Sequence, residues 1–88
     1  MIRNANFMLQ DVAGTQVIVP TGEAVVAFPG MITVNATGAY IWQLLEQEQT
    51  VQSLAKAVVA RYEVTEAQAT ADVEKFLTQL QPTGALLG

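Results

Sequence analysis

The chain has 88 residues, 51% of them apolar and 14% charged, enough for one small folded domain and too apolar for a disordered tail. It contains no cysteine and no histidine, so disulfides, zinc knuckles, iron–sulfur clusters, thiol nucleophiles and the commonest general base are excluded, and no cofactor is expected. Four basic residues (Arg3, Lys56, Arg61, Lys75) stand against eight acidic ones, a net charge of −4, which leaves no basic stripe for nucleic acid or for an anionic membrane.

Residues 1–6 read as an N-terminal tail without the apolar core of a signal peptide, which leads to the expectation of a cytoplasmic protein. Residues 7–34 read as a β meander. Phe7–Val12 is mostly apolar and is broken by Ala13-Gly14. Gln16–Val19 is rich in β-branched residues and ends at the turn cluster Pro20-Thr21-Gly22. Ala24–Phe28 is a further apolar run, either a fourth strand or part of a long hairpin. Pro29-Gly30 makes a turn, and Met31-Ile32-Thr33-Val34 is the last strand. Connections this short permit only antiparallel neighbours.

Residues 35–81 read as three helices. Asn35 caps the first, over 36–47, with Ile41, Leu44 and Leu45 as its apolar stripe. Gly38 costs about 1 kcal/mol inside a helix, which suggests that another backbone comes close there. Thr50 caps the second helix, which buries Val51, Leu54, Val58 and Tyr62. Thr65-Glu66-Ala67-Gln68 fits a capping box, and Ala69, Val73, Phe76, Leu77 and Leu80 line one face of the third helix, over 65–81. Pro82 and Gly84 stop it. Residues 82–88 form a C-terminal tail whose Ala85-Leu86-Leu87 packs back on the body. The class is therefore α+β: a three- or four-stranded antiparallel sheet followed by three helices, winged-helix-like, in one domain over 1–88.

Helices 50–62 and 65–81 with their short turn resemble a helix-turn-helix, and a DNA-binding regulator is one alternative function. The second of these helices carries Glu66, Asp72, Glu74 and a single Lys75, so it would repel phosphates. Asp72 and Glu74 are two apart on a helix and diverge, so they make no general acid/base pair. Ser53 is the one serine, in Gln52-Ser53-Leu54, and lacks the aspartate that carrier proteins place before their modified serine. None of these patterns supports an enzyme.

The informative feature is an unguarded edge. Exposed edge strands usually carry charge or proline, and Met31–Val34 has neither. In a meander the last strand lies at an edge, where an extended peptide can add as a further strand beside a helix. The run 24–28, the C-terminal tail or a second copy of the chain could equally cover it, and a self-associating structural module is the second alternative.

Asn35-Ala36-Thr37-Gly38-Ala39-Tyr40-Ile41-Trp42-Gln43-Leu44-Leu45 follows the pattern Asn-x-Thr-Gly-x-x-Ile-Trp-x-Leu-Leu at a strand-to-helix junction. Thr50-Val51, Leu54, Tyr62, Asp72-Val73, Phe76-Leu77, Leu80, Gly84 and Leu86-Leu87 extend the match, and Val17–Pro20 and Gly30–Val34 fall where strands belong. Over about residues 7–87 the sequence resembles the PqqD family, whose founding member is the peptide chaperone of pyrroloquinoline quinone biosynthesis. Glu23–Phe28 is extra relative to that founding member.

The resemblance implies three antiparallel strands on three helices and a non-catalytic chaperone. Such a chaperone takes the leader segment of a ribosomally made precursor as an added strand. It presents the precursor to a modifying enzyme, often a radical S-adenosylmethionine enzyme. Carried over, it implies peptide binding at Met31, Ile32, Thr33 and Val34 and, on the third helix, at Asp72, Val73 and Phe76. Asp72 and Gln79 flank one side of that helix's apolar face, Thr70 and Glu74 the other, and Asp72-Val73 favours the Asp72 side. With few cations present, the leader is expected to be mainly apolar where it enters. The specific precursor and the product are not implied.

Overall fold

The computed structural model describes all residues, 1–88. A three-stranded antiparallel sheet, order β2-β3-β4, is built from β2 (Phe7–Val12), β3 (Thr15–Pro20) and β4 (Ile32–Thr33). Ala13 and Gly14 make the two-residue turn between β2 and β3, both at positive φ (54° and 85°), with the Gly14 amide donating to Asp11 Oδ1 at 2.8 Å. Two successive positive φ angles match the right-handed twist of the strands they join. The expected α+β class and antiparallel sheet are present.

Two strand expectations change. Ala24–Ala27 is a single helical turn, α1, rather than a fourth strand. The amides of Ala24, Val25 and Val26 donate to the carbonyls of Thr21, Gly22 and Glu23, so the Thr21-Gly22 turn is continued instead of extending into a strand. The last strand is shorter than 31–34, and the reason lies across the sheet. Ile18 pairs with Ile32, and the Val34 amide donates to the Gln16 carbonyl at 3.0 Å. Continued by two residues, this ladder would require an N–H from Pro20, which has none. Pairing therefore stops at Ile32, and Met31 lies outside the strand, 59% exposed.

Three helices follow: α2 (Ala36–Leu44), α3 (Val51–Tyr62) and α4 (Glu66–Leu80). Each starts at an expected cap: Asn35 accepts from the Gly38 amide, Thr50 from that of Ser53 and Thr65 from that of Gln68. The complete capping box is at Thr50, where Ser53 Oγ also accepts from the Thr50 amide. At Thr65 only half forms, because Gln68 Nε2 turns to Asp72 Oδ1 at 2.9 Å. Helix α2 ends at Leu44, before the expected 47. Glu63 closes α3 in the left-handed conformation, φ 53°.

The core lies between the sheet and the helices. Ile18, Ile41, Trp42, Leu45, Leu54, Val58, Val73 and Leu80 are its largest fully buried side chains. Each such side chain contributes on the order of 1.5–3 kcal/mol. Helix α2 packs on both α3 and α4, which pack on each other. The two tails meet: β1 (Ile2–Arg3) pairs antiparallel with β5 (Leu86–Leu87), which follows a 3-10 turn at Gln81–Thr83. Ala85 is fully buried, and the Arg3 guanidinium sits 5.6 Å over the Trp42 ring. No helix is long and apolar enough to cross a membrane.

Candidate functional site: a groove beside the short sheet edge

Strand β4 is an edge, paired on one side only. In an antiparallel ladder, backbone groups of alternate residues point to the partner and away from it. Val34 and Ile32 face β3, so the N–H and C=O of Thr33 face outward. The contact at that carbonyl agrees: Gln79 Nε2, reaching from α4, donates to Thr33 O at 3.3 Å. Of the four residues 31–34, it is thus Thr33 whose backbone groups the strand turns to the open side.

Beside this edge runs a groove of ≈ 270 Å³. Its floor and near wall come from Val34, Asn35, Thr37, Gly38 and Ile41; its far wall is Asp72, Lys75, Phe76 and Gln79 of α4. These four positions, 72, 75, 76 and 79, repeat at helical spacing and so share one flank of α4. Glu74 is on the other flank, where it borders a separate depression with Val51, Leu77 and Leu86, away from β4.

Gly38 explains how α2 and α4 leave room for this groove. A Cβ at residue 38 would lie 3.1 Å from Cδ1 and Cε1 of Phe76 and 3.3 Å from Asn35 Oδ1. The missing side chain accommodates the Phe76 ring, not a backbone as expected. Asn35 meanwhile uses Oδ1 to cap α2 at 2.8 Å from the Gly38 amide, so one short stretch both starts the helix and shapes the groove.

The charges in the groove are Asp72 and Lys75, which form no ion pair with each other. Asp72 accepts from Gln68. Polar residues outnumber apolar ones along the lining: Val34, Ile41 and Phe76 are its hydrophobic members. The cause is the junction itself, because a helix start needs short polar residues such as Asn35 and Thr37.

The anticipated residues therefore separate into two groups. Thr33, Val34, Asp72 and Phe76 line the groove. Ile32 and Val73 do not; they are buried in the core, at 5% and 0% exposure, and hold the edge and the helix in place. Met31 is exposed at the end of the edge. Lys75 and Gly38 join the lining without having been singled out for it, and Gln79 lies on the same flank as Asp72, as its spacing indicates.

Two solved structures are similar to the whole chain. One is TbiB1 in complex with the TbiA(beta) leader peptide, 22% identical, covering 100% of this chain and 96% of that one with a TM-score of 0.76. The other is a lasso peptide synthetase B1 complexed with the leader peptide, 21% identical, covering 98% and 95%, TM-score 0.72. No curated protein matches. The family model for coenzyme PQQ synthesis protein D (PqqD) matches residues 16–86, which include the whole groove, and the chain belongs to the PqqD family.

Proposed function

We propose that this protein binds the leader segment of a ribosomally made precursor peptide by strand addition to β4 and presents it to a separate modifying enzyme. The observation that carries this reading is the outward-facing backbone of Thr33 beside a groove walled by α4. Strand addition needs both elements: backbone groups for affinity and pockets for alternate side chains. Family membership and the leader peptides held by two proteins of the same fold support it.

In this reading Thr33 supplies the hydrogen bonds, with Met31 and Ile32 flanking it along the edge. Val34, Asp72 and Phe76 receive the peptide's side chains, and Val73 anchors α4 beneath them. Successive residues of an added strand point to opposite faces. The residue opposite Val34 points into the groove, between Asp72 and Lys75. A polar side chain that can both donate and accept suits that position, and its immediate neighbours point away.

The chain itself does no chemistry, and a radical S-adenosylmethionine enzyme of the cytoplasm is the modifying partner that the family suggests. A DNA-binding role is disfavoured by charge: α4 bears Glu66, Asp72 and Glu74 against Lys75.

The test is selection from a random library of 15-residue displayed peptides, followed by amide-shift mapping with the enriched sequences. Shifts concentrated in 31–41 and 72–79 are expected. Saturating binding whose shifts fall elsewhere, on β2 for instance, would refute the assignment.

A further inference from the structure

We propose that Gln79 is a stand-in for the bound peptide: in the free protein it closes the open edge, and an arriving strand must displace it. The inference rests on the strand-addition reading above. The groove side of Thr33 offers one outward carbonyl, and Gln79 Nε2 holds it at 3.3 Å from a residue 46 positions away. Gln79 is exposed, so nothing but this contact and helix α4 fixes its side chain. An incoming strand would bring a backbone N–H to the same carbonyl, from the same side.

The contact also answers a physical difficulty. Edges that expose unpaired backbone invite wrong strands, and proteins blunt them with charge, proline or a covering element. Strand β4 has no charge and no proline, and α1 does not pair with it. A long amide side chain can serve as a reversible cover. It satisfies the acceptor when no peptide is present and costs little to move, because an exposed hydrogen bond of this kind is weak in net terms. A charged side chain at the same place would guard more strongly but would also resist the peptide.

The consequence is unusual for a binding-site residue: removing it should strengthen binding. Gln79→Ala should raise the affinity for library-selected peptides about two- to tenfold, the value of one hydrogen bond no longer exchanged. The gain should be similar for peptides of different sequence, since a backbone contact is exchanged. It should vanish for a peptide N-methylated at the residue whose N–H faces Thr33, which has no donor for the freed carbonyl. On peptide binding to the wild-type chain, the Gln79 side-chain amide resonances should move to solvent-exposed values. If peptides shift 31–41 but Gln79→Ala leaves affinity unchanged or lowers it, the stand-in role is overturned while strand addition survives. If peptides bind without shifting 31–41, strand addition fails first and the role of Gln79 with it.

Discussion

The sheet has two edges, and the longer one is not where the groove lies. Strand β2 offers six residues, with Phe7, Leu9 and Asp11 turning their backbone groups outward by the alternation of the hairpin. Strand β4 offers two. By backbone alone β2 would be the better template. It carries Asp11, however, and no residue of β2 lines either groove of the protein. Length of exposed backbone therefore does not make a peptide site. What makes one is a wall at side-chain distance, so that the added strand can bury alternate residues as it pairs.

The largest expected effect comes from removing that wall. Phe76 is 6% exposed and fills the space above Gly38. Phe76→Ala should cost about 3 kcal/mol in urea unfolding, the low end for a buried phenylalanine because one side of the ring borders the groove. Under conditions where the variant is still folded, peptide binding should be lost and β4 should behave like β2. Retention of full affinity would mean that backbone pairing alone suffices and that the wall is incidental.

Next in size is a paired substitution that separates the two edges directly. Thr33→Pro removes the outward N–H of β4 without touching the bonds to β3, and proline is tolerated on an edge. Asp11→Pro does the same to β2. The first should weaken peptide binding by about tenfold or more, about 1.4 kcal/mol. The second should leave binding unchanged and lower stability slightly, through loss of the Asp11–Gly14 hydrogen bond. The reverse pattern in isothermal titration would move the site to β2.

Much of this contrast was legible in the residues, because helix starts are written locally. Asn35, Thr50 and Thr65 each cap a helix three residues before the amide they hold, a relation that no distant contact has to establish. That 72 and 79 share a flank of α4 was readable for a similar reason, by helical spacing alone, whereas the side that meets the groove was indicated only by the family resemblance at Asp72-Val73. What was not legible depends on partners far away in sequence. The truncation of β4 is caused by Pro20 across the sheet, the fit of Gly38 by Phe76 on another helix, and the cover on Thr33 by Gln79. Residues 24–27 failed for a different reason. Only the two valines of Ala-Val-Val-Ala favour strand, and the single turn of helix is decided by the carbonyls of Thr21–Glu23 that accept from its amides.

A smaller effect tests how closely the wall is fitted. Gly38→Ala gains about 1 kcal/mol of helix propensity and loses a comparable amount to the 3.1 Å approach of Phe76. Stability should change by less than about 1 kcal/mol. Phe76 lines the groove, and a ring pushed toward it narrows it, so peptide affinity should fall several-fold while the melting temperature barely moves. Equal loss of both would show that Phe76 is held rigidly and that the groove has no freedom to narrow.

The smallest effect belongs to the hairpin that ends in the other edge. Ala13 adopts φ 54° at the first position of the two-residue turn, a conformation that asparagine accepts more readily than alanine. Ala13→Asn should raise stability by about 0.5–1 kcal/mol and leave peptide affinity unchanged, because the turn joins β2 to β3 and contributes no residue to the groove. The measurement discriminates between a sheet that responds as one body and two edges that act independently. If stiffening the β2–β3 turn altered binding at β4, the central strand would be transmitting the change, and the choice of edge would depend on the sheet's twist as well as on the wall that α4 provides.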